Sequence, residues 1–93
     1  DKKDIILYLM KQSLKNLGKT MKLVIRVSAD DVEMVRNEQE RLLEFVDKDC
    51  EMEIVLDSTL KKNQCLLEAD KQIIDCSLDV QMQSLIENLK MMM

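Results

Sequence analysis

The 93 residues contain no His, no Pro, no Trp, a single Gly and only two aromatic side chains, Tyr8 and Phe45. Each absence removes a class of chemistry. Without His there is no Ser–His or Cys–His dyad and no imidazole base. A zinc site would have to rely on thiolates and carboxylates alone. With Gly18 as the only glycine, the multi-glycine loop that cradles a phosphate cannot be built. What is present is a chain 46% apolar and 34% charged, of a length that suits one small domain with a thin core.

The charge is unevenly placed. The net value of -4 divides into +5 over residues 1–28 and -9 over residues 29–93. The acidic bulk argues against nucleic acid, which requires a clustered basic face. The basic beginning could meet an anionic surface, but a solvated lysine face accounts for it. Cys50, Cys65 and Cys76 are separated by 14 and 10 residues, an odd count without zinc-ligand spacing. They read as buried reduced thiols. No apolar run approaches the ~18 residues of a membrane span, and no signal-peptide pattern occurs. A start at Asp1 is what a fragment or processed chain would show.

Hydrophobic spacing predicts the elements. Residues 4–17 form an amphipathic helix with Ile6, Leu9, Met10, Leu14 and Leu17 on one stripe, closed by Gly18. Residues 21–28 alternate as a strand, with Leu23, Ile25 and Val27 inward, and with Val24 hinting at partial burial on the other face. Ser28-Ala-Asp-Asp31 offers an N-cap to a helix running to about Val46, with Val32, Val35, Leu42, Leu43 and Val46 on its core side. Residues 51–56 are a second strand, with Met52, Ile54 and Leu56 on one side. Residues 64–69 and 72–77 form a hairpin about Asp70-Lys71. Residues 78–91 complete the chain as a helix capped by Ser77, and the Met91–Met93 tail is expected to fray. The order helix, strand, helix, strand, strand, strand, helix implies an α+β fold, a small four-stranded mixed sheet packed with about three helices. A parallel pairing of the first two strands would require a right-handed crossover.

Candidate sites are few. Asp30, Asp31 and Glu33 sit where a helix start favours negative charge. Asp47-x-Asp49-x-Glu51-x-Glu53 resembles an alternating calcium loop, but it lacks the turn glycine and continues into a strand. No metal and no cofactor are therefore expected. A two-residue turn pairs Ala69 with Gln72, Leu67 with Ile74 and Cys65 with Cys76. A redox disulfide is then geometrically open, though two small buried hydrophobes are the commoner outcome. Met34 and Phe45 fall opposite the core stripe of their helix. Either the first helix packs there or the strip is a groove for a partner. Ile5, Tyr8 and Val80 also lie off their main stripes.

The second half taken as one string resembles a known family. Cys65, Glu68, Asp70, Ile74, Asp75, Ser77 and Gln81 match the C-terminal domain of the flagellar assembly protein FliH, which is related to type III secretion stators and to peripheral-stalk proteins of V-type ATPases. The family pattern there is a strand ending Glu-Thr-Asp, a turn, then Ile-Asp-Ala-Ser before a helix. Leu23-Val-Ile-Arg26-Val27-Ser28-Ala-Asp30-Asp31 looks like the family's preceding strand and helix start. The likeness covers roughly residues 20–90. It departs where Asn63-Gln64 replaces a Gly-Gly pair, where Gln72 replaces a turn glycine, and where Ala29 replaces a proline.

The resemblance implies a role rather than a reaction. It implies a non-catalytic stator that binds the N-terminal region of the flagellar export ATPase, restrains it and docks it for protein export. The full-length protein would dimerise and work in the cytoplasm at the periphery of the export apparatus, without a membrane span. The division implied is residues 1–19 as the end of a stalk or linker helix and 20–93 as the α+β domain. Met34, Phe45 and Val80 are the residues expected to meet the partner. The competing expectations are a virulence type III secretion stator, a peripheral-stalk protein of a V/A-type ATPase, and a carboxylate-based metal-binding regulator.

Overall fold

Leu23, Ile25 and Val27 alternate with Lys22, Val24 and Arg26, and this alternation makes β1 (Lys22–Val27) the centre of the sheet. The computed structural model describes residues 2–77. The predicted last helix, with its stripe of Leu78, Met82, Leu85, Ile86 and Leu89, lies outside them. The described elements run α1 (Lys2–Lys15), β1, α2 (Val32–Asn37), α3 (Gln39–Leu43), β2 (Glu51–Leu56), β3 (Cys65–Glu68) and β4 (Ile73–Asp75). The sheet is four-stranded in the order β2-β1-β3-β4. β1 and β2 are parallel, β1 and β3 antiparallel, and β3 and β4 antiparallel. This is the mixed α+β arrangement that the sequence predicts.

One face of the sheet carries the core. Ile25 lies between Ile54 and Leu67 in adjoining strands. Leu23, Val27, Cys65 and Cys76 join them, with Val35 and Leu42 from α2 and α3, and with Ile6, Met10, Leu14 and Leu17 from α1. Leu9, expected on the α1 stripe, stands on its shoulder and is half-buried. Leu56 closes β2 at its exposed end rather than in the core.

The middle helix departs most from expectation. It is two short helices joined at Glu38, whose φ of -99° and ψ of 4° leave the helical region. Residues 36–41 are all polar, so no apolar side chain anchors the helix one turn beyond Val35. Instead Arg36 Nη2 donates to the Ile54 carbonyl at 3.4 Å and Gln39 Nε2 to the Met52 carbonyl at 3.1 Å. Leu42 is fully buried beyond the break, whereas its neighbour Leu43 turns outward and is 39% exposed. Leu43 is therefore not a core residue. The chain then tightens, with i to i+3 bonds from Glu44, Phe45 and Val46.

The expected cap is also built differently. The Asp31 side chain makes no capping bond to α2. Its Oδ2 accepts from Ser28 Oγ at 3.1 Å and from the Asn63 backbone N–H at 2.7 Å, tying the end of β1 to the loop before β3. Ser28 O accepts from Val32 N and begins the helix.

Two described residues are left-handed, one just after α1 and one in the turn before β3. Gly18 follows α1 with φ +76°, as predicted. Asn63 has φ +69°, at one of the two positions where the related family carries glycine. Asn tolerates this region better than other side chains. Asn63→Gly is expected to leave stability unchanged within about 0.5 kcal/mol, and Asn63→Val to lower it by about 2 kcal/mol. Urea unfolding of the two variants checks this. Gln72, at the other glycine departure, has no positive φ, and its side-chain amide donates to Leu17 O at 3.2 Å.

The hairpin has the register expected of a two-residue turn. Leu67 faces Ile74, Glu68 faces Ile73, and Ala69 N bonds Gln72 O at 2.9 Å. The turn is latched to the start of β1. Asp70 Oδ2 accepts from Met21 N at 2.8 Å and Oδ1 from Lys22 N at 3.2 Å, while Thr20 Oγ1 accepts from Asp70 N. The Met21 N–H, followed by those of Lys22 and the Thr20 hydroxyl, holds the Asp70 carboxyl below the usual carboxylate range. Asp57 is likewise lowered, chiefly by the Thr59 hydroxyl and N–H and then by Arg26. A carboxyl lowered by folding stabilises the fold above its unfolded value, near pH 3.9, and that contribution is lost as pH falls through the folded value. The stability difference between the wild type and Asp70→Asn should therefore be largest near neutral pH and shrink below about pH 4, read by thermal unfolding across pH.

Candidate partner-binding surface

Met34 and Phe45 are half-buried and packed against the core. Met34 comes from the outer side of α2. Phe45 follows α3 and lies beneath α1, where Lys11 Nζ and Lys15 Nζ stand 5.9 and 5.4 Å from its ring centroid. Two cations over one ring give the α1 contact an electrostatic component. α1 thus reaches Phe45 through the basic residues flanking its apolar stripe. Val80, the third expected partner residue, lies outside the described residues.

α1 has a second apolar strip that points to solvent. Ile5 and Tyr8 are one helical turn apart, and Tyr8 is 60% exposed. The sequence shows both residues off the main stripe, and the fold leaves them uncovered among the described residues.

The outer face of the sheet forms a further surface. Strand register sets Glu53, Val24, Glu68 and Ile73 in one row, and Val55, Arg26, Leu66 and Asp75 in the next. Ile73 is 70% exposed, whereas Val24, Val55 and Leu66 are half-buried. Arg26 bridges the sheet, with Nε on Glu68 Oε1 and Nη1 3.6 Å from Asp57 Oδ2. The Glu68 hydrogen bond, then its charge, raises the Arg26 pKa. Sequence reasoning detects this surface only through Val24, because a residue's partners across the sheet depend on register.

The thiols are structural. Cys65 and Cys76 are fully buried and directly opposed, with Cys76 N bonding Cys65 O at 3.0 Å. All three cysteines are free. Hydrogen bonding to Cys76 and then burial push the Cys65 thiol well up, away from the reactive thiolate. Burial does the same to Cys50, reinforced by Asp70 and other nearby carboxylates. Ser77, the expected cap of the last helix, accepts from Cys65 N at 2.9 Å through its Oγ. No group of three His, Cys, Asp or Glu side chains able to hold a metal ion occurs among the described residues. No helix among them is long and apolar enough to cross a membrane.

Comparison with known proteins adds the family context. A family model described as flagellar assembly protein FliH matches residues 1–85, which takes in α1 and every strand of the sheet. A flagellar assembly protein FliH from Borreliella burgdorferi is 28% identical over 88 residues, covering 95% of this chain and 29% of the relative. The chain therefore spans less than a third of that relative's length.

Proposed function

This chain belongs to the FliH family of flagellar assembly proteins, and we propose that it serves there as a non-catalytic stator and regulator of the flagellar export ATPase. In this reading it binds the N-terminal region of the ATPase, restrains its activity and docks it for protein export. The observation that carries the proposal is the family match across residues 1–85, over a fold that exposes Ile5, Tyr8 and Ile73 among its described residues. Residues 1–19 would form the end of a stalk or linker helix and residues 20–93 the partner-binding domain. Full-length protein would act as a dimer in the cytoplasm, at the periphery of the export apparatus.

Met34, Phe45 and Val80 are the residues assigned to the ATPase contact. Truncating an anchor at an interface commonly costs more than 1 kcal/mol of binding, so Phe45→Ala is expected to weaken ATPase binding about tenfold. Because Phe45 also packs on the core, thermal unfolding of the variant must show that the fold survives at the assay temperature. Co-purification of the full-length protein with the export ATPase is the primary measurement. Failure of the wild-type pair to associate would end the ATPase reading. Unchanged binding by a folded Phe45→Ala variant would end only the residue assignment.

A further inference from the structure

We infer that Cys65 and Cys76 are a site of reversible covalent modification. Exchange with a small organic disulfide joins them in an intramolecular bond that locks the β3–β4 hairpin. The inference does not depend on the ATPase reading.

Position comes first. The β3–β4 register continues past Leu66 and Asp75 to set Cys65 opposite Cys76, and Cys76 N bonds Cys65 O at 3.0 Å. Opposed residues of an antiparallel pair stand about 4.5–5.5 Å apart between Cα atoms, inside the roughly 4.4–6.8 Å window of a disulfide. Both side chains are fully buried, and both thiols are free. Cys76 Sγ reaches Cys65 O at 3.6 Å, and the two thiols bond one another.

The third thiol is out of reach. Cys50 precedes β2, whose first residue Glu51 pairs with Lys22, whereas Cys65 pairs with Val27. Cys50 and Cys65 therefore flank opposite ends of β1, roughly 16 Å apart along the strand. A disulfide tolerates at most about 7 Å between Cα atoms.

The hairpin controls access. In the closed sheet both thiols are inert, because burial and their mutual bond disfavour a thiolate. β4, however, has three residues, ends the sheet and pairs only with β3 among the described residues. Elements with few neighbours open locally without global unfolding. Opening of β4 frees Cys76 and uncovers Cys65. One protein thiol, losing its proton, attacks the small disulfide, forms a mixed disulfide and releases one small thiolate. The other protein thiol, also losing its proton, attacks the protein sulfur of that mixed bond, closes Cys65–Cys76 and releases the second small thiolate. The protein gives up two electrons and two protons, and the small disulfide becomes two thiols. A thiol reductant reverses both steps. The turn end of the hairpin is already tied to β1 through Asp70. The new bond fixes the other end, where Ser77 Oγ meets Cys65 N and the chain leaves the sheet.

The test treats the full 93-residue chain with oxidised glutathione under native conditions and maps the unreduced peptides by mass spectrometry. A Cys65–Cys76 bond free of glutathione is expected in the wild type and in Cys50→Ser. The oxidised chain should melt about 10 °C above the reduced one, as closing a short loop predicts, and dithiothreitol should restore the lower Tm. Hydrogen exchange along β4 should slow on oxidation. Cys76→Ala, if folded, should lose the bond and the Tm rise together. Unreacted thiols, glutathione adducts without the cross-link, or a bond to Cys50 would each overturn the inference. So would cross-linking in urea alone, or an oxidised chain that melts no higher than the reduced one.

Discussion

Ile25→Ala is expected to lower stability by about 3–4 kcal/mol, the cost typical of emptying a fully buried aliphatic site. Ile25 is fully buried at the centre of β1, between Ile54 of parallel β2 and Leu67 of antiparallel β3. Strand neighbours on both sides are held by backbone bonds, so the sheet cannot collapse into the space. A domain of this size starts with roughly 5–10 kcal/mol, and such a loss should lower Tm by roughly 15–25 °C. Ile25→Val, which removes one methylene, should cost only about 1 kcal/mol. Calorimetry of the two variants measures the graded response. Equal effects would mean that the strand pairing repacks around the site.

Asp31→Ala should produce the second largest loss, about 2–3 kcal/mol, by a different route. Asp31 is 1% exposed, and its Oδ2 accepts from both Ser28 Oγ and Asn63 N–H. Its removal leaves the amide of a left-handed residue without its acceptor. Its Oδ1 has no hydrogen-bond partner among the described residues, so the buried oxygen carries an uncompensated cost that alanine would relieve. This relief keeps the net loss at the scale of a buried donor left unpaired. Hydrogen exchange at Asn63 should accelerate in Asp31→Ala, and Asp31→Asn should recover most of the protection because its amide oxygen can still accept. Loss of protection throughout the sheet would instead indicate global unfolding.

The two variants divide what is legible in the sequence from what is not. Leu23, Ile25 and Val27 can be assigned to the core because a strand repeats every two residues. Ile6, Met10, Leu14 and Leu17 can be assigned by the helical period in the same way. The hairpin register follows from turn length, which places Cys65 opposite Cys76. The middle helix defeats the pattern because its apolar positions fit one helical phase, whereas residues 36–41 supply no anchor and two of their side chains are recruited to β2. Asp31 looks like a cap because Asp at a helix start usually is one. Its real partner lies 32 residues away at Asn63, a contact that no local pattern encodes.

The candidate surfaces follow the same division. Met34 and Phe45 are visible as a second apolar strip, but only the fold places two lysines of α1 over the Phe45 ring. The acidic and apolar rows on the outer sheet face become visible only with strand order.

By itself the sequence determined the first helix, the four strands, the α+β class, most of the core stripes and the likeness to FliH, because these depend on spacing along the chain and on residue type. The absence of His and Pro and the single Gly narrowed the chemistry at the same level. Tertiary structure decided which turn glycine could be replaced without a left-handed backbone, where Asp31 bonds, how the edge of β2 is closed and which side chains share the outer face of the sheet. Those properties arise between residues far apart in the chain, where packing and register bring together groups that local propensity cannot pair.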